Sequence, residues 1–104
     1  MIKDGVDLRD LQPQLCIAYT IATEVYRRHG GRCTITSAKD GTHGPRSLHS
    51  RDGLCRALDL RTHDLLPAVV LDVHRELADA LGEQFDVILE DDHVHLEWDV
   101  KTET

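Results

Sequence analysis

The sequence of 104 residues has little of several features that common functions require. Its aromatic residues are one Trp, two Tyr and one Phe, too few for a stacking surface that binds sugars or single-stranded nucleic acid. No apolar run approaches the roughly 20 residues that cross a bilayer, so we expect no membrane span. The 12 basic residues against 19 acidic ones give a net charge of −7, which excludes a general nucleic-acid binder.

Cysteine is also scarce. Cys16, Cys33 and Cys55 are an odd number without a CxxC pair, so they indicate neither a disulfide framework nor a thiolate zinc site. The length suits a single domain over residues 1–104, which we expect to be a monomer. The first residues do not have the pattern of a signal peptide, so we expect synthesis in the cytoplasm without one.

Hydrophobic periodicity predicts two helices and four strands. The helices are predicted at 11–28 and 66–81, and the strands at 32–37, 55–62, 85–90 and 93–99. The last two strands are separated only by acidic residues and are predicted to form a hairpin. This order predicts an α+β fold with a small antiparallel or mixed four-stranded sheet and two helices on one face.

The last strand indicates which side chains lie on the face of the sheet opposite the helices. Its apolar residues are Val94, Leu96 and Trp98, and they alternate with the polar residues His93, His95, Glu97 and Asp99. If the second and last strands are near neighbours, Asp59 and His95 share the polar face. His49, in the loop before the second strand, could close over the same place. Two imidazoles and one carboxylate, with a fourth position open to water, are typical of a catalytic zinc site.

Ordinary structural roles compete with that interpretation. Paired histidines on a strand are common on exposed surfaces, and the run from Glu90 to Asp92 has the composition of a solvated hairpin tip. Ser47 could cap the loop that contains His49. The remaining histidines are predicted to lie at a helix C-terminus (His29), in a turn (His63) and on a solvated helix face (His74).

Three stretches together resemble the M15 family of zinc D,D-peptidases, which shares its fold with the hedgehog signalling domain. The first is Thr36-Ser37 followed by Asp40-Gly41-Thr42-His43. The second is Ser47-Leu48-His49, Gly53 and Ala57-Leu58-Asp59, which is similar to the family pattern SxHxxGxAxD. The third, residues 89–98, is similar to the family's acidic residue and HxH ending. The likeness covers about residues 15–100 and is greatest to short phage and bacterial members.

The resemblance implies one Zn²⁺ held by His49, Asp59 and His95. His95 is preferred to His93 because related proteins with this ending use the second histidine. Asp92 is implied as general base, since it precedes His95 by the family's acid-x-x-His spacing; Glu90 stands in the same relation to His93 and is the alternative. His93, if it is not a ligand, could stabilise an oxyanion.

The same resemblance implies a peptidoglycan stem peptide as substrate, cleaved at a D-Ala-D-Ala or L-Ala-D-Glu bond. Lys39, Arg46, Arg51 and Arg56 are candidates to bind the substrate carboxylate, with Ser47 beside them. One departure is that His49 and Asp59 are ten residues apart instead of seven, which indicates an insertion in segment 50–56.

The expected protein is an endolysin-like zinc metallopeptidase of carboxypeptidase or endopeptidase type, which would reach a cell wall only if another factor delivered it. The alternatives are a non-catalytic, zinc-binding, hedgehog-like interaction domain and a metal-free module that binds a protein partner.

Overall fold

A computed structural model describes residues 1–39 and 54–99 of the chain. Its helices are α1 (Pro13–Arg28) and α2 (Val70–Leu81), the second preceded by a 3₁₀ turn at Pro67–Val69. Its strands are β1 (Ile35–Ser37), β2 (Ala57–Arg61), β3 (Phe85–Leu89) and β4 (His93–Trp98). The predicted α+β class and the predicted order of six elements are confirmed, although most elements are shorter than the sequence patterns indicate.

The four strands form one antiparallel sheet in the order β1-β2-β4-β3. A hairpin joins β3 to β4. On its other side β4 pairs with β2, so β2 and β4 are the two central strands. The pairing sets Asp59 opposite His95 and Arg61 opposite His93. The polar positions of the two central strands are therefore direct neighbours.

The core lies between the two helices and one face of the sheet. That face contributes Leu58, Leu60, Val94 and Leu96, all with no exposed surface. The helices contribute buried residues at the helical period, namely Leu15, Ala18, Ala22, Val25 and Tyr26 from α1, and Val73 and Leu77 from α2. Trp98 is half-buried and packs against the same cluster. The predicted alternation along β4 is thus confirmed.

Two local features fix the helices. Gly82 ends α2 with a φ of 81°, a left-handed value that glycine adopts at little cost. The Tyr26 hydroxyl of α1 donates a hydrogen bond of 2.9 Å to the carbonyl of Arg61 at the end of β2. This bond connects the first helix directly to a central strand. Over the part of the chain that the structure describes, no helix has the length and apolar character needed to cross a membrane.

Candidate metal centre

The face of the sheet opposite the helices holds a cluster of titratable side chains. Because Leu58 and Leu60 are directed into the core, Asp59 between them lies on the other face. His95 lies there for the same reason, between Val94 and Leu96. The Asp59 and His95 side chains are 16% and 15% exposed, so both are largely withdrawn from water. The structure therefore brings together two of the three predicted ligands.

The His95 ring lies between two carboxylates. Its Nδ1 atom is 2.7 Å from Asp59 Oδ1, and its Nε2 atom is 2.6 Å from Glu97 Oε1. Burial lowers the pKa of His95, but the hydrogen bonds to Asp59 and Glu97 outweigh it and the net pKa is raised above the ordinary value. Both nitrogens can donate at once only in the charged imidazolium. In the neutral ring, one of the two nitrogens is left as an acceptor or metal ligand.

His93 extends the cluster toward the hairpin tip. Its Nε2 atom is 3.7 Å from Asp59 Oδ1, and its Nδ1 atom is 2.7 Å from Asp92 Oδ1. The hydrogen bond with His93 lowers the pKa of the exposed Asp92 carboxyl group. Asp92 is thus directed at His93, its neighbour in sequence. Glu90, the alternative base, is exposed.

In a regular strand Asp92, three residues before His95, would lie on the opposite face, so its assignment as base requires a turn at Asp91-Asp92. That turn is present. Leu89 pairs with Val94, and the Glu90 N–H donates to the His93 carbonyl at 2.9 Å, so Asp91 and Asp92 form the tip of a tight hairpin. The Thr62 N–H donates to the Asp92 carbonyl at 3.2 Å, which ties the tip to the end of β2. The predicted hairpin is confirmed.

The donor atoms can be compared with what zinc requires. Bond lengths of roughly 2.0–2.2 Å and tetrahedral angles put neighbouring ligand atoms about 3.3 Å apart. Asp59 Oδ1 is 2.7 Å from His95 Nδ1 and 3.7 Å from His93 Nε2, one on each side of that spacing. Asp59 Oδ1 and His95 Nδ1 would have to separate by about 0.6 Å to hold zinc between them, and imidazole with carboxylate is a donor set that zinc favours.

The third predicted ligand, His49, lies outside the described residues, as do Arg46, Ser47 and Arg51. Within residues 1–39 and 54–99, the three donors whose atoms all lie within 4.8 Å of one another are Asp86, Glu97 and Asp99. This set is purely carboxylate, which suits zinc less well than imidazole. Asp86 was not predicted from the sequence, although counting back from the hairpin tip pairs it with Glu97.

The other residues predicted to bind substrate are occupied elsewhere. The Lys39 ammonium group forms an ion pair with Asp10. The Arg56 guanidinium lies over the Trp98 ring, 5.8 Å from its centre. Arg61, which sequence analysis did not consider for this role, lies on the same face as the cluster and next to His93.

The other three histidines among the described residues are His29, His63 and His74, and all three lie outside the cluster. His29 follows the last turn of α1 as predicted, and its Nε2 atom is 2.8 Å from Glu76 Oε1 of α2. His63 is exposed in a turn, 3.5 Å from Asp64, also as predicted. The prediction of a solvated His74 is wrong. Because α2 packs against β3, His74 is half-buried and its Nε2 atom is 2.8 Å from the Val87 carbonyl oxygen.

No protein-family model, curated protein or solved structure matches this chain. The class of protein that fold and site define is an α+β domain with a histidine–carboxylate cluster on the face of an antiparallel sheet opposite the helices.

Proposed function

We propose that the protein is a zinc-dependent peptidase that hydrolyses peptidoglycan stem peptides, of the D-Ala-D-Ala carboxypeptidase or the L-Ala-D-Glu endopeptidase type. The observation that carries the proposal is the 2.7 Å contact between the largely buried side chains of Asp59 and His95 on the sheet face opposite the helices. These two residues are ligands in the resemblance to the M15 zinc D,D-peptidases. The hedgehog/D,D-peptidase-like fold is part of the same proposal.

In this proposal His49, Asp59 and His95 hold the zinc ion. Zinc, when bound, supplies a Lewis acid that polarises the scissile carbonyl and makes water a better nucleophile near neutral pH. Glu97 accepts the Nε2 proton of His95, which leaves Nδ1 free as a ligand and fixes the orientation of the ring. The carboxylates on this face thus hold His95 in one tautomer.

In this proposal, residues at the hairpin tip carry out the proton transfer and stabilise the oxyanion. Asp92 is the proposed base that accepts a proton from the attacking water and passes it to the leaving amine. His93 lies between Asp92 and Asp59, where an N–H donor can stabilise negative charge on the substrate's carbonyl oxygen. Each residue keeps the role that the resemblance implies.

The test is the metal content and activity of matched variants. We expect about one zinc per chain in the wild type, lost in Asp59→Asn and largely lost in His95→Ala, but retained better in His93→Ala. His63→Ala removes an exposed histidine outside the cluster and should retain all the zinc. Elemental analysis gives the zinc content, and release of amines from purified muropeptides gives the activity.

The outcomes separate the assignments. If His93→Ala loses the zinc and His95→Ala keeps it, the ligand is His93. If the wild type binds no zinc at a stoichiometric level, the proposal is overturned.

A second candidate function is zinc binding without catalysis, as in a hedgehog-like interaction domain. The observation that favours it is the direction of Asp92, whose carboxylate is engaged by His93 and not directed at Asp59 or His95. Zinc bound at full stoichiometry with no hydrolysis of either muropeptide bond would establish this alternative.

A further inference from the structure

The outer edge of β3 is open within the part of the chain that the structure describes. The strand order β1-β2-β4-β3 leaves β3 paired with β4 on one side only. The Glu90 N–H donates to the His93 carbonyl at 2.9 Å, so the backbone groups of Glu90 face β4. In an antiparallel pair these groups alternate in direction along the strand. The N–H and C=O groups that face away from the sheet are therefore those of Phe85, Val87 and Leu89.

The composition of this edge strand favours pairing with a further strand. Phe85–Leu89 has the sequence FDVIL, with one charged residue among four apolar ones. Phenylalanine, valine and isoleucine are all common in strands. The Ile88 side chain is exposed, on the face that also carries His95, its partner in β4. An apolar edge of this kind pairs with another chain unless a side chain or another element covers it.

His74 of α2 covers the middle of the edge. Because α2 packs against β3, the half-buried His74 ring reaches the outward-facing Val87 carbonyl, and its Nε2 atom lies 2.8 Å from that oxygen. A carbonyl oxygen can only accept, so Nε2 has the proton and donates the hydrogen bond. At the start of the strand the Phe85 N–H donates to the Gly82 carbonyl at 3.2 Å. Among the described residues, the N–H groups of Val87 and Leu89 have no hydrogen-bond acceptor.

The His74 ring and an added strand compete for the same oxygen. A backbone N–H donor of an added strand would lie about 2.9 Å from the Val87 carbonyl oxygen. The His74 Nε2 atom is already at 2.8 Å, where that donor would be. Paired strands lie only about 4.8 Å apart, which leaves no room for an imidazole ring bonded to the carbonyl between them. The edge can therefore pair with a further strand only when the His74 ring has left Val87.

We propose that the open edge of β3 docks the β3 strand of a second copy of this chain, and that the His74 ring keeps this surface closed in the wild type. A second copy fits because antiparallel pairing about Val87 is symmetric: the Val87 N–H of each copy donates to the Val87 carbonyl of the other. In that register Asp86 lies opposite Ile88 of the other copy, so no two carboxylates within Phe85–Leu89 face each other. The proposal does not depend on zinc or on the proposed function.

The test compares the self-association of the full chain and its variants by sedimentation velocity, in EDTA so that no metal ion bridges two copies. His74→Ala removes the ring, and His74→Asn has an amide one bond too short to reach Val87. Both should lower the dissociation constant of the dimer at least about tenfold, because the Val87 carbonyl becomes free to accept from a second copy. His74→Gln has an amide N–H at the position of Nε2 and should remain as monomeric as the wild type.

A control and a second measurement locate the effect. His29→Ala removes the 2.8 Å contact between His29 Nε2 and Glu76 of α2, so it weakens the packing of α2 without opening the edge, and it should remain monomeric. Hydrogen exchange reports on the edge itself. The amides of Val87 and Leu89 should exchange rapidly in the wild type and be protected in the dimer, whereas the Ile88 amide, which faces β4, should be protected in both.

The proposal is overturned if His74→Ala and His74→Asn both remain monomeric at roughly 1 mM chain. It is also overturned if His74→Gln or His29→Ala associates as strongly as His74→Ala, or if the wild type is a dimer with protected Val87 and Leu89 amides. One measurement needs no variant: the ring nitrogen NMR shifts of the wild type should show a proton on His74 Nε2. A ring protonated on Nδ1 alone cannot donate to Val87, and this result would contradict the proposal as well.

Discussion

If the protein is the proposed peptidase, Asp92 and His93 can share the proton transfer in two ways. In the proposed function Asp92 is the base, and its loss should leave the zinc in place while turnover falls by two or more orders of magnitude. The 2.7 Å contact between Asp92 Oδ1 and His93 Nδ1 also permits Asp92 to orient His93, so that His93 Nε2 takes the proton. We therefore expect Asp92→Ala to be nearly inactive with full zinc content.

Matched variants decide between these roles. If Asp92 is the base, His93→Gln retains more activity than Asp92→Asn; if His93 is the base, their order is reversed. Glu90→Gln removes a neighbouring exposed carboxylate and should remain active. An active Asp92→Ala together with an inactive, zinc-loaded Glu90→Gln would assign the base to Glu90 instead.

The sequence was sufficient to predict on which face of the sheet a residue lies, but it was less informative about which side chains that residue contacts. Alternation along residues 93–98 was sufficient to predict that His95 lies on the other face of the sheet from Leu96. The same argument predicted that Asp59 lies on the other face from Leu58. The contact between Glu97 and the His95 ring also follows from residues two apart on one face. The direction of Asp92 depended on the turn at the hairpin tip, which has no periodic signal in the sequence.

At the scale of elements, a part-buried hydrogen bond connects α1 to β2. Tyr26 has no exposed surface, and its hydroxyl donates to the Arg61 carbonyl at 2.9 Å. Burial is the main reason that the pKa of Tyr26 is raised well above its ordinary value, so the hydroxyl remains a donor at neutral pH. Tyr26→Phe removes the donor but keeps the ring, and should lower the free energy of unfolding by about 1–2 kcal/mol.

Urea denaturation measures this effect. Tyr19→Phe is the control, because the Tyr19 hydroxyl contacts backbone carbonyls at the partly exposed N-terminal edge and should cost less. A Tyr26→Phe variant as stable as the wild type would show that water replaces the lost donor.

The existence of each element could be predicted, but its ends could not. The strand predicted from residue 32 begins only at Ile35, and the helix predicted from residue 66 begins with a 3₁₀ turn at Pro67–Val69. In both places the backbone forms hydrogen bonds outside the predicted regular pattern. For example, the Thr34 carbonyl accepts a hydrogen bond from the Arg61 N–H. Long periodic segments such as α1 were predicted to within two residues at the start and at the correct end.

At the scale of the whole molecule, one face of the sheet packs in the hydrophobic core and the other face carries polar side chains. The helices bury the core-facing residues Leu58, Leu60, Val94 and Leu96 of the two central strands. These strands, Ala57–Arg61 and His93–Trp98, therefore present Asp59, His95 and Glu97 on the other face. The stability of the core and the geometry of the centre therefore depend on the same two strands. A side chain on the polar face can be changed without creating a cavity in the core, which makes the proposed ligand variants informative.

The reactivity of the three cysteines tests whether the core is packed as the structure describes. Cys16 is exposed on α1, while Cys33 and Cys55 are buried. Burial raises the pKa of the Cys33 thiol from its ordinary 9.0 to about 12, so the folded chain keeps this proton where the unfolded chain releases it. The corresponding stability is fully present below about pH 9 and is lost as the pH rises toward 12.

At pH 8 we expect one thiol per chain to react rapidly with a colorimetric disulfide reagent, and three to react in concentrated urea. Cys16→Ser should abolish the rapid reaction and leave the slow reaction unchanged, since the two buried thiols become accessible only by opening of the core. Because the proposed zinc ligands include no thiol, EDTA should not raise the number of rapidly reacting thiols. Rapid reaction of two or three thiols in the native protein would contradict the packing of α1 against the sheet.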